Sequence, residues 1–438
     1  DGTHAVKPDT AIRRDQQRHI EMDLPAGPGG PGEWQHVLVI PAYRECTSIL
    51  DSLGSLSAAA SPFLAILVLN RPDSDPDDSA NQSLREAVRR LPGIDGVSGT
   101  GQLNMGSALL PFDTEASLGP LPAEKAVGLA RKLGCDLAWQ CILRKVISSR
   151  WIHCSDADAR LPADYFQRTA GLSPDVVAAT YPFTHIRGGD TACNTATALY
   201  ELRLHHYVLG LEYAGSPYAH HSLGSALAVT ADAYAKVRGF PQRAAGEDFY
   251  LLNKLAKVGP IERLTGDCIE LVSRESDRVP YGTGPSVTRI SSGDLSPAQF
   301  YHPHGFIALR AVLYYVAAYS RSPTVSLHGS LLASGLDPRL AAECEQVLED
   351  MGLPAALDHC SGHSNNSAQF LRHFQQWLDA FRTLKFIHAL RERALPQQTL
   401  TELDELRPRL WPGDEPGSAL QDLIHSHWGW TRQDPGRW

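Results

Sequence analysis

The sequence predicts an α/β protein with an open, mostly parallel sheet covered by helices on both faces and a helical extension at its C-terminal end. Three observations predict it. Short continuous apolar runs, HVLVI at 36–40 and FLAILVL at 63–69, read as strands buried on both faces. Each gives way to a polar loop and then a helix-like stretch, and alternating strand and helix signals point to a parallel sheet. Beyond about residue 290 the apolar residues fall at helical spacing instead.

Taken in order, residues 1–35 are polar and end in AGPGGPGEW, a Pro/Gly run that reads as a linker or surface arm. The globular part is expected from His36, where the apolar run ends at Pro41 and a helix follows from about Glu45. LAILVLNRPDSDPDDSANQSLREAVRRL repeats the pattern: a strand at 64–69, an Asp-rich loop, and a helix capped near Ser79. WIHCSDAD and DVVAATYPF supply two further short strands. In the region 291–438, FLRHFQQWLDAFRTLKFIHALRERAL places Leu371, Phe374, Trp377, Leu378, Phe381, Leu384 and Leu390 along a stripe, expected as core or homodimer packing rather than a cofactor site. Three segments result: 1–35, 36–290 and 291–438. Open parallel sheets bind ligands at the carboxyl ends of their strands, where Tyr43, Asn70, Asp156 and Asp158 are expected.

With 438 residues, 43% of them hydrophobic, the chain can bury a large core and suggests two or three domains. Forty Lys and Arg against 49 Asp and Glu give a charge of -9 without long blocks of one sign, which argues against nucleic acid as the main partner. No apolar run approaches the roughly 20 residues of a membrane-spanning helix. The eight cysteines include no C-x-x-C pair and read as small buried hydrophobes in a reducing compartment, which makes the cytoplasm the expected location.

In WIHCSDADARLPADYF, Asp156 and Asp158 stand one residue apart just after an apolar run. Strand alternation would point both to one side, and two like charges held together want a cation. The other reading is a turn, with Asp158 as the cap of a helix starting near Leu161-Pro162.

Four blocks then stand in order: VIPAYRE at 39–45, AEKAVGLARKLGCDLA at 123–138, SDAD at 155–158 and AGEDFYLLNKL at 245–255. In this order and spacing the sequence resembles the family 2 glycosyltransferases and their relatives of the glycosyltransferase A fold, over about residues 36–290. The blocks are similar to that family's first strand and nucleotide loop, the helix under the donor, the metal-binding D-x-D and the block carrying the catalytic carboxylate. SRESDRVPYGTG at 273–284 is similar to the flexible loop after the last strand in bacterial members. The sequence departs from the family at Asn70, where many members have an acidic residue that grips the uracil or ribose. It also has no motif for the usual third metal ligand, a histidine, and His302 and His304 in FYHPHGF are candidates by order alone.

The resemblance implies a cytoplasmic, metal-dependent hexosyltransferase that uses Mn2+ or Mg2+ and moves a sugar from a UDP- or GDP-type donor to an acceptor hydroxyl. By the same resemblance Asp158 binds the metal directly, and Asp156 reaches the ribose or a metal-bound water. Cleaving the sugar–nucleotide bond puts charge on a diphosphate, so a hard cation held by carboxylates suits the task. Arg131 and Lys132 either add charge for the diphosphate or form a solvated helix face. Pro41 ends the first strand's ladder, and Tyr43 is placed to stack on a base. Glu45 is either a nucleotide contact or a first-turn helix residue complementing the dipole. Asp248 is the candidate base for the acceptor hydroxyl, with Glu247 beside it. On the acceptor side, Gly224 and Ser225 would let the backbone approach a ligand, and His220 and His221 would bind a hydroxyl or carboxylate. Two other readings compete. A sugar nucleotidyltransferase needs a Gly-rich loop that PAYRECTS lacks, and a non-catalytic sugar- or partner-binding module would use the helical tail as its interface.

Overall fold

The computed structural model describes residues 32–95 and 98–403. Most of the expected 1–35 arm, and residues 404–438 of the helical region, lie outside the described residues. Trp34 is buried, its Nε1 donates to the Gly106 carbonyl at 3.1 Å, and its backbone pairs with Val146 and Ser148. The packed body therefore includes the tail of the Pro/Gly run, ahead of the expected start at His36.

The chain divides into two compact units. One joins the segment ending at Gly188 to Ser222–Pro285, and the other joins Gly189–His221 to the segment starting at Ser286. The expected 36–290 segment is divided between the two units, with 189–221 and 286–290 in the second. The helix Thr191–Ala214 belongs with the C-terminal helices because the Phe306 ring lies flat against its backbone at Gly210, where a Cβ would sit 2.5 Å from three ring carbons.

The first unit is built on an eight-stranded sheet. Its strands are β1 (His36–Ala42), β2 (Phe63–Leu69), β3 (Gly101–Gln102), β4 (Ala108–Asp113), β5 (Trp151–Cys154), β6 (Ala178–Thr180), β7 (Leu227–Thr230) and β8 (Ile261–Arg263). They lie in the order β8-β6-β7-β5-β1-β2-β4-β3. Every residue of β1 and β2 is buried, as expected of apolar runs covered on both faces. β1 runs parallel to β2 and β5, β2 to β4, and β8 to β6, whereas β7 and β3 run antiparallel to their neighbours. The sheet is thus mostly parallel but mixed.

Helix Ala126–Leu143 packs on β1 and β2 at very close range. A Cβ on Gly134 would come within 2.5 Å of Val39 Cγ1 and 2.7 Å of Val68 Cγ2, so only glycine lets the helix lie this low. A second, three-stranded sheet places Ile269–Val272 between Phe183–Ile186 and Ala159–Arg160. Its register, Leu271 opposite Ala159, brings the turn holding Asp158 beside the segment that follows Val272.

The second unit is helical around an apolar cluster that includes Phe306, Val312, Cys344, Phe374, Phe386 and Leu390, with smaller clusters beside it. Of the aromatic stripe, Phe374, Leu378 and Leu390 are core, Leu371, Trp377 and Leu384 pack partly against it, and Phe381 stays exposed. The stripe is split between helices Ser367–Trp377 and Ala380–Arg393, because Leu378 leaves the helical region and Asp379 caps the next helix by accepting from Arg382 N. Among the described residues, no helix is long and apolar enough to cross a membrane. All eight cysteines are free, and Cys46 is exposed rather than buried.

Candidate functional site

The carboxyl ends of β1 and β2 are locked together by side chains. β1 continues through Pro41 to Ala42, with Pro41 paired opposite Val68 and buried, so this proline does not end the strand. The chain then turns at Arg44, whose φ of 53° is costly for a residue with a Cβ. Partners stabilise it: Arg44 N donates to Asn81 Oδ1 at 3.0 Å, and its guanidinium reaches Asp75 at 2.9 and 3.1 Å. Tyr43 Oη donates to the same carboxylate at 2.6 Å. Burial and then this bond push the Tyr43 phenol up to about 12, and the bond helps hold Asp75 below its ordinary range. Asn70 donates from Nδ2 to the carbonyls of Ala42 and Val68, both at 3.2 Å, and its own carbonyl accepts from Asn81 at 2.8 Å. The Asn70 amide hydrogens therefore splice β1 to β2 rather than face a base.

β5 stops at Cys154, so Asp156 and Asp158 stand in a turn, closed by Ala159 N donating to the Asp156 carbonyl at 3.2 Å, and strand alternation does not align them. Asp156 pairs with Arg131 Nη2 at 2.5 Å, and Asp158 with Arg274 Nη2 at 2.8 Å. Glu45, which is half-buried, accepts from Arg274 at 3.1 and 3.2 Å and also from Arg278. Arg278 donates further to the Tyr43 carbonyl at 2.7 Å. Burial, opposed by Arg274 and reinforced by the charges of Asp156 and Glu45, pushes the Asp158 carboxyl up to about 6. Burial raises Glu45 as well, against the pull of Arg274.

Gly246, at φ 70°, opens the helix Glu247–Leu255. Glu247 is buried and accepts from Arg131 Nε at 2.8 Å. Arg131 thus joins the two acidic blocks, and it also donates to the Gly224 carbonyl at 3.1 Å. Burial disfavours its charge, but Asp156 and Glu247 outweigh that and hold it protonated. With its head 4% exposed and committed to these partners, Arg131 organises the site instead of presenting a free cation to a diphosphate. Lys132 is also buried, with Nζ 2.5 Å from Asp136, whose other oxygen accepts from Tyr234 Oη at 2.7 Å, so it forms no solvated face. A Cβ on Gly224 would collide with the Arg131 guanidinium, so this glycine makes room for Arg131, and Ser225 is buried beside it. Asp248 stays partly exposed, and burial followed by the Glu247 charge, against the pull of Arg131, pushes it up to about 7.

The candidate histidines belong to the second unit. His302 Nδ1 accepts from His304 N at 3.1 Å and caps the helix Pro303–Tyr319, and burial lowers the imidazole to about 4. His221 packs against His205 with ring centroids 4.6 Å apart, and His220 is buried. Asp75, Asn81, Arg274 and Arg278 are the participants that motif reading missed. The last two lie in the 273–284 stretch, whose partners no local pattern reveals.

Among the described residues no group of three or more His, Cys, Asp and Glu side chains is arranged to hold a metal ion. The donors present nevertheless fit a hard divalent cation. Asp158 and Asp156 supply only carboxylate oxygens, and burial first, then the charges of Asp156 and Glu45 against the pull of Arg274, raises Asp158. Cations of this type commonly take one or two carboxylates and complete their shell with phosphate and water. No protein-family model matches the chain, and no curated protein matches it either.

Proposed function

We propose that the chain is a metal-dependent glycosyltransferase with the glycosyltransferase A arrangement, moving a hexosyl group from a UDP- or GDP-type donor to an acceptor hydroxyl. The observation that carries the reading is the double ion pair of Arg131, which draws the D-x-D turn and the E-D helix into one cluster through Asp156 and Glu247. That leaves Asp248, partly exposed and raised to about 7, as a proton acceptor matched to neutral pH. Tyr43, steadied by Asp75, presents a ring for the base. By the resemblance, Asp156 would reach the ribose or a metal-bound water and Asp158 would hold the cation directly. Mn2+ or Mg2+, when bound there, would supply Lewis-acid charge to the departing diphosphate. On the inverting route the acceptor oxygen bonds to the anomeric carbon, the bond from that carbon to the phosphate oxygen breaks with its electrons leaving on the diphosphate, and Asp248 takes the acceptor proton.

A panel of nucleotide sugars in thermal-shift experiments, with and without Mn2+, tests this. At a hundred times its dissociation constant, the right donor should add about 2.7 kcal/mol of stability. If no donor binds or is hydrolysed with either metal, the reading falls. Pyrophosphate release from a nucleoside triphosphate and a sugar phosphate would replace it with nucleotidyl transfer.

A further inference from the structure

We propose that Arg274 is a tethered counter-ion that a divalent cation must displace from Asp158, so that cation loading and release of the 273–284 segment are one event. The inference rests on the reading of Asp158 as a cation ligand. Asp158 Oδ2 already has a cationic partner, Arg274 Nη2 at 2.8 Å. A guanidinium and a divalent ion cannot share that oxygen without strong repulsion at close range.

Of the two arginines on the D-x-D carboxylates, one can leave and the other cannot. Arg131 is 4% exposed and clasped by Glu247 and the Gly224 carbonyl, whereas Arg274 is 36% exposed and opens to solvent. Arg274 follows the strand Ile269–Val272 by two residues, and that strand is fixed in register on Ala159–Arg160. The guanidinium is therefore aimed at Asp158 by the backbone. Glu45 is the second holdfast, taking Arg274 and Arg278 together, and Arg278 also grips the Tyr43 carbonyl. Farther along, Tyr281 Oη donates to the Ala245 carbonyl at 2.7 Å, ahead of the E-D helix. The segment thus straps the first-strand loop, the D-x-D turn and the approach to Asp248 while the carboxylates are neutralised by arginine. A bare cation must compete with this internal partner, and one arriving with a diphosphate brings its own additional ligands. Cation binding should accordingly be weak alone and strong with nucleotide.

The test measures Mn2+ binding to the nucleotide-free full chain by the electron paramagnetic resonance signal of free Mn2+. It compares wild type with Arg274→Gln, Arg278→Gln and Asp158→Asn. Removing Arg274 should tighten Mn2+ binding by about tenfold or more, and removing Arg278, which carries the same charge but does not pair with Asp158, by less than about threefold. Equal tightening in both variants would mean a mere field effect and overturn the proposal, as would no tightening with Arg274→Gln. Wild-type protein gives a second readout. Trypsin should cut the Arg278–Val279 bond faster once Mn2+ alone is added, and an unchanged rate overturns the proposal. If Asp158→Asn leaves Mn2+ binding unchanged even with UDP or GDP present, the cation-ligand reading itself fails. If it abolishes binding while Arg274→Gln changes nothing, only the counter-ion proposal fails.

Discussion

Arg131 and Glu247, 116 positions apart in the chain, meet in an ion pair of 2.8 Å with both side chains almost wholly buried. Removing one partner of such a pair strands the other charge. Arg131→Met should therefore destabilise the protein by about 3 kcal/mol or more, read from the urea midpoint. Adding Glu247→Leu should restore part of that loss, because the stranded carboxylate is then gone. A double variant as unstable as the sum of the two singles would show that the pair is not coupled.

Asp248 must be ionised to accept a proton, and its carboxyl is raised to about 7. Turnover should therefore climb as pH rises through about 7, and Asp248→Asn should lose that limb together with roughly a hundredfold of acceptor-dependent rate. Donor binding should survive, since the amide keeps shape and volume. Near-normal transfer in Asp248→Asn would move the base elsewhere.

Tyr43 contributes a ring and a hydroxyl, and the two separate cleanly. Tyr43→Phe loses the bond to Asp75 but leaves Arg44 on that carboxylate, so stability should drop by about 1 kcal/mol with little change in nucleotide affinity. Tyr43→Ala should additionally weaken UDP or GDP binding, measured by calorimetry, by about 1–3 kcal/mol. Equal affinity in the two variants would rule out stacking.

His36 and His153 lie in the core of the first unit around Phe166, with His36 stacked on that ring at 4.6 Å. Burial holds His36 down to about 4, and burial with the neighbouring His36 charge holds His153 down to about 3, against an ordinary 6.5. Below pH 6.5 the unfolded chain takes up protons that the folded chain refuses. Their contribution is thus fully present above 6.5 and is lost as pH falls towards 4, amounting to about 2 kcal/mol per histidine by pH 5. Urea midpoints between pH 7.5 and 5 should fall less steeply for His153→Gln than for wild type, and parallel slopes would refute the assignment.

β1 and β2 are legible because buried parallel strands are written as unbroken apolar runs. β7 is not, since LAVT is four residues long among glycine, serine and alanine, and its place between β5 and β6 depends on pairing across some 50 to 80 residues of chain. The grouping of Thr191–Ala214 with the C-terminal helices depends on Phe306 meeting Gly210, which no local period encodes. In the candidate site, acidic pairs at 156/158 and 247/248 stand out by type, but their partners do not. For Arg131 the sequence leaves a diphosphate contact and a solvated face both open, because helical spacing says nothing about a helix buried on nearly every side. Asp75 is one of four acids in DSDPDD, and only the fold shows which of them turns inward to Tyr43 and Arg44.

Gly134 sits three residues beyond Arg131 on the same helix, where its bare Cα touches down on Val39 and Val68. The elevation of that helix above β1 and β2 is therefore set by a missing methyl group, and so is the depth to which the Arg131 head reaches between Asp156 and Glu247. Gly134 works as a spacer of zero thickness. Gly134→Ala would act as a shim, lifting the guanidinium by tenths of an ångström and loosening two acidic blocks that it never touches. A position with no reactive atom thereby becomes a calibration point for the distance between the D-x-D turn and Asp248.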